Sequence, residues 1–79
     1  MRTIVETLSA YLEEEHDVDP SEVQSDTLLF SSGIVDSFML VALLTFIETT
    51  FDCEVEPVDV TLENFDSLDR MAAYIESRL

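Results

Sequence analysis

Seventy-nine residues make a single domain, 1–79, with one modest core and too little material for a deep active site plus its scaffold. Eighteen acidic residues stand against three basic ones, Arg2, Arg70 and Arg78; the net charge of -15 repels phosphate backbones and anionic lipid, excluding nucleic acid and membrane as partners. An apolar fraction of 47% argues against disorder, and one glycine with two prolines leaves too few tight turns for a β-sandwich.

From Thr3 to about Glu15 the apolar residues Ile4, Val5, Leu8, Tyr11 and Leu12 fall at i, i+1, i+4, i+7 and i+8, which predicts a first amphipathic helix. Glu13, Glu14 and Glu15 crowd its negative end, where His16 offers small relief. Asp17 to Pro20 should stop it, since a proline disfavours helical geometry in the residue before it. A long connection follows from Val18 to about Asp36, with a short turn at Ser21-Glu22-Val23. Leu28, Leu29 and Phe30 are too apolar for solvent and should pin that loop to the bundle. Gly33, after Ser31-Ser32, is the residue that takes positive φ without cost.

Ser37 to Phe51 reads as the second helix, with Asp36 as its N-cap. Leu40, Leu43, Leu44, Ile47 and Phe51 share one broad face. Asp52 to Pro57 is turn-like, and Val58 to Asn64 should hold a short third helix with Val60 and Leu62 inward. A last helix runs from about Ser67 to Leu79, burying Leu68, Met71, Ala72, Ile75 and Leu79. The fold class is therefore all-α: a small four-helix bundle of three longer helices and one short one, with a long first loop. Cys53 stands alone between Asp52 and Glu54, so there is neither a disulfide partner nor a thiolate cluster, and its thiolate is disfavoured. The first residues, Met1-Arg2-Thr3-Ile4, lack the apolar run of a signal peptide, so the chain reads as cytoplasmic and as a complete domain.

The stretch Leu29 to Phe38 joins an apolar anchor, a glycine turn, an acidic cap and a serine hydroxyl at the start of an apolar helix. A helix N-terminus offers unpaired N–H groups and a positive dipole, a setting that suits a phosphodiester on the neighbouring hydroxyl. On these grounds alone a capping role is the default reading of Ser37.

Gly33-Ile34-Val35-Asp36-Ser37-Phe38 resembles the Gly-x-x-Asp-Ser-Leu signature of acyl and peptidyl carrier proteins, and Thr61 to Phe65 followed by Leu68 and Ala73-Tyr74-Ile75 is similar to that family's closing pattern. The resemblance covers nearly the whole chain. It implies an acyl-carrier-protein-like fold and a non-catalytic carrier. It further implies that a phosphopantetheinyl transferase attaches 4′-phosphopantetheine from coenzyme A to Ser37, with Asp36 helping to recruit that enzyme. Cargo would ride as a thioester, loaded by an acyl- or aminoacyl-loading ligase and presented to a downstream synthase or transferase, with the carrier a monomer. Between Ser37 and Phe51 the only charge is Glu48, whereas fatty-acid carriers line this helix with acids. An apolar docking strip of Phe38, Met39 and Ala42 follows, unless the third helix and first loop cover it. Phe38 after the serine is similar to aminoacyl, D-alanyl and specialised polyketide carriers, so the cargo leans toward an aminoacyl or short specialised acyl group.

Asp66-Ser67-Leu68 repeats the core of the signature but has Glu63 where Gly33 stands, and it opens the last helix, where capping by Ser67 or Asp66 explains it. Asp17-Val18-Asp19 begins like a calcium loop, yet Glu22 and Leu28 occupy positions that need glycine and glutamate. With His16 as the sole histidine, neither a serine-hydrolase triad nor a metal centre assembles. The competing reading is an acidic helical protein-interaction adaptor whose Ser37 is never modified.

Overall fold

The computed structural model describes residues 3–19 and 21–79, and among them every regular element is helical. Helix α1 spans Ile4–His16, α2 Ser37–Phe51, α3 Leu62–Phe65 and α4 Leu68–Arg78, with a 3-10 turn at Pro57–Asp59. The expected all-α bundle is thus present. Its core gathers Leu8 and Leu12 from α1, Leu43 and Ile47 from α2, Phe65 from α3, and Leu68, Met71 and Ile75 from α4.

Local chemistry explains where the helices begin. The Thr3 hydroxyl accepts the Glu6 N–H at 3.1 Å to open α1, the Asp36 carboxylate accepts the Met39 N–H at 2.9 Å to open α2, and the Ser67 hydroxyl accepts the Arg70 N–H at 3.2 Å to open α4. Both α1 and α2 end on an aspartate in left-handed geometry, Asp17 at φ 55° and Asp52 at φ 51°. The stop expected of Pro20 lies outside the described residues, and α1 has already closed at Asp17, whose N–H turns back to the Leu12 carbonyl. Gly33 adopts φ 87° with open space where a β-carbon would sit, so conformation and not space demands glycine there.

Helix α4 is the central strut, with α1 and α3 packed on it. Tyr11 of α1 stacks on Phe46 of α2 at a ring separation of 4.1 Å, and the Tyr74 hydroxyl of α4 donates to Asp59 at 2.8 Å. The first loop is fastened by Val23, Leu29 and Val35, all buried, while Phe30 is half-buried. Leu28, expected among the pins, faces out, because Leu29 takes the inward position of that turn.

The third-helix region departs from the sequence reading. Val58 to Asn64 is not one helix: the 3-10 turn ends at Asp59, Val60 breaks the run, and α3 begins at Leu62. Val60 is half-buried, Leu62 is 54% exposed, and Phe65 supplies the buried contact. One turn of helix carries one inward residue, and the larger ring takes that place. Leu79 is also exposed, because α4 ends at Arg78.

Candidate attachment site

Ser37 is the first residue of α2 and lies exposed at the end of the bundle. The capping bond from Asp36 and the Leu40 N–H to Asp36 carbonyl bond of 3.0 Å hold the first turn rigid. Among the described residues no hydrogen bond engages the Ser37 hydroxyl. The segment leading to it is closed on itself, with the Gly33 N–H on the Phe30 carbonyl at 3.2 Å and the Val35 N–H on the Leu29 carbonyl at 3.0 Å. An uncommitted hydroxyl on a fixed helix start, reached from open solvent, fits the attachment of a bulky phosphodiester.

The second Asp-Ser pair is built in the opposite way. Ser67 is 3% exposed and spends its hydroxyl on the α4 cap, and so is the one of the two expected capping candidates that fills the role. Asp66 is equally buried and does not cap α4. Its carboxylate crosses to the first loop, accepting the Phe30 N–H at 2.8 Å, the Ser31 N–H at 3.0 Å and the Ser31 hydroxyl at 2.5 Å. The Ser31 hydroxyl foremost, then the two N–H groups and the Arg70 charge, hold the Asp66 carboxyl below the ordinary carboxylate range against the opposing effect of burial. No periodicity announces this bond; its only sequence signal is a carboxylate just before a capped helix.

Beyond Ser37, α2 turns Phe38, Val41 and Ala42 to solvent, with Phe38 at 86% and Val41 at 65% exposure. The third helix and first loop do not cover these three. Met39, expected in the same strip, is half-buried against the core, because it lies one turn from the buried Leu43. Val41 is the strip residue that the sequence reading missed, though its i+3 spacing from Phe38 marks it. An apolar cleft of about 290 Å³ lies beside this face between Phe30, Leu40, Val60, Thr61, Leu62 and Phe65. Cys53 is half-buried, and burial with the neighbouring Glu48 and Asp52 charges raises its thiol pKa, partly offset by Arg78. Among the described residues no three metal-ligating side chains converge, and no helix is long and apolar enough to cross a membrane.

Residues 6–75 match the model of a family described as the phosphopantetheine attachment site. The chain belongs to that family. It is an acyl or aminoacyl carrier, and the family's prosthetic group is covalently attached 4′-phosphopantetheine. Carriers of this kind work with partner enzymes such as transferases and ligases. This carrier is 39% identical over 57 residues to the lincomycin biosynthesis protein LmbN of Streptomyces lincolnensis, covering 72% of this chain and 20% of LmbN. It thus spans about a fifth of that relative's length. It is 28% identical over 75 residues to the D-alanyl carrier protein of Lactococcus lactis subsp. cremoris, covering 95% of this chain and 86% of the relative.

Proposed function

We propose that Ser37 is the residue that carries the phosphopantetheine, and that this protein presents an aminoacyl or short specialised acyl group to its partner enzymes without catalysing a reaction itself. One observation carries the choice of residue. Of the two Asp-Ser pairs, only Ser37 offers an exposed hydroxyl free of hydrogen bonds among the described residues, whereas Ser67 is buried and engaged. Asp36 fixes the first turn of α2 and lies exposed beside the hydroxyl, which suits it for recognition by the transferase. When attached, the group supplies a terminal thiol that holds cargo as a thioester, raising its effective concentration at a docked enzyme.

The aminoacyl assignment draws on the D-alanyl carrier relative, and specialised metabolism draws on the lincomycin relative. The docking face is the exposed strip of Phe38, Val41 and Ala42, with Met39 contributing at its half-buried edge. The partners are a phosphopantetheinyl transferase, an aminoacyl- or acyl-loading ligase, and a downstream transferase or synthase. The carrier acts as a monomer in the cytoplasm. An unmodified adaptor would need no free hydroxyl at this helix start, and nothing in the family match favours it.

The test is direct. The purified protein, incubated with coenzyme A and a broad-specificity phosphopantetheinyl transferase, should gain the mass of one phosphopantetheine. The gain should vanish in Ser37→Ala and persist in Ser67→Ala. A gain that survives Ser37→Ala would place the arm elsewhere.

A further inference from the structure

The loop that delivers the chain to Ser37 is long, and its position is not set by its own turns alone. It is tied to the junction of α3 and α4 at several points. The Leu29 N–H donates to the Asp66 carbonyl at 2.7 Å, and the Asp69 N–H donates to the Ser25 carbonyl at 2.9 Å. Between these backbone bonds, the Asp66 carboxylate takes the Phe30 and Ser31 N–H groups and the Ser31 hydroxyl. One buried side chain therefore satisfies three donors of a segment 35 and 36 residues away in the chain.

The clamped residues connect without slack to Asp36. Leu29, whose N–H is held at Asp66, accepts the Val35 N–H through its carbonyl, and Phe30 accepts the Gly33 N–H in the same way. Leu29 and Val35 are buried, so that closed turn is seated on the core from both ends. Asp36 and Ser37 are the next two residues. A shift at Phe30–Ser31 is thus passed through a closed turn to the backbone that enters α2.

We infer that Asp66 is a positioning residue for modification at Ser37: it fixes the Leu29–Val35 turn, and with it the surface that a transferase reads beside the hydroxyl. The inference rests on the Ser37 assignment. Asp66 touches neither the hydroxyl nor an incoming group; it acts through the loop. Its backbone bond to Leu29 would survive truncation of the side chain, so loss of the carboxylate loosens the turn and leaves the bundle in place.

The geometry separates shape from charge. In Asp66→Asn the amide oxygen still accepts the two N–H groups and the amide nitrogen donates to the Ser31 hydroxyl oxygen, so the clamp keeps its shape without its charge. In Asp66→Ala two part-buried N–H groups lose their acceptor.

The experiment measures transfer from coenzyme A to the 79-residue protein by mass, as initial rates over a range of carrier concentrations. Asp66→Ala should lose about tenfold or more in kcat/KM, mostly through KM, as expected when a recognition surface is displaced. Asp66→Asn should return close to the parent. Ser31→Ala, which removes one of the three bonds, should fall between them and carries the test if Asp66→Ala does not fold. Tyr74→Phe serves as a control for lost stability, because it deletes the Asp59 hydrogen bond; melting curves confirm that every variant is folded at the assay temperature. Parent-like kinetics in both Asp66→Ala and Ser31→Ala would overturn the inference, as would an equal loss in Tyr74→Phe. A parent protein that gains no mass, or gains it in Ser37→Ala, removes the Ser37 assignment itself and this inference with it.

Discussion

Asp66 and Asp36 show how one residue type does different work in two similar tripeptides. Asp36 is an exposed cap that serves its own helix; Asp66 is a buried acceptor that serves a distant loop. Because the Asp66 carboxyl is held below its ordinary range, its stabilising effect is complete above the unfolded-state pKa and is lost as pH falls through the folded one. Asn does not titrate. In Asp66→Asn, measured at high salt to screen general repulsion, melting should therefore come earlier than in the parent at pH 7, and the gap should narrow as pH falls from about 4 downward. A gap that stays constant with pH would contradict the ionised clamp. At this scale the sequence was readable where the chemistry is local. The caps at Asp36 and Ser67 and the glycine turn follow from neighbours in the chain, whereas the Asp66 bond joins positions that only the finished fold brings together.

At the scale of the element, α2 carries two apolar faces with different fates. Leu43 and Ile47 enter the core, while Phe38, Val41 and Ala42 remain in water. Leaving an aromatic ring exposed forgoes roughly 1.5–3 kcal/mol of burial that a docked partner can recover. Phe38→Glu should therefore change folding stability by less than about 0.5 kcal/mol, as for an ordinary surface position. The same substitution should raise the KM of the loading enzyme about tenfold or more, because buried aromatics dominate interface energetics. A large drop in melting temperature would instead mean that Phe38 packs on the bundle. The helices themselves were legible because 3.6-residue periodicity is strong over three or four turns. The third-helix region was not, because one turn is too short to show a period, and nothing in Val58 to Phe65 announces which apolar residue turns inward. The left-handed ends at Asp17 and Asp52 were hidden for a related reason: aspartate tolerates that geometry without advertising it as glycine does.

For the whole molecule, charge sets the terms. Arg78 and Glu56, 3.6 Å apart at the surface, are the one ion pair among the described residues, and an exposed pair of this kind contributes at most about 1 kcal/mol. Against it stands a net charge of -15 on a body about 29 Å across. Repulsion among the carboxylates should dominate, so adding sodium chloride or magnesium should raise the melting temperature. An unchanged melting curve from low to near-physiological salt would show that the acidic groups are spaced widely enough to be indifferent to one another.

The exposed ring of Phe38 also bears on how copies of this protein behave in a crowd. An apolar strip open to water invites self-association, and here the invitation is cancelled at a distance, since two bodies of the same strong charge rarely come close enough for their strips to meet. Solubility and selectivity then have a common origin. A partner with a basic surface would meet less repulsion on its way to Phe38 than a second copy of the chain would. That distinction fades near the isoelectric point of about 4.1, where the strips are left to find each other.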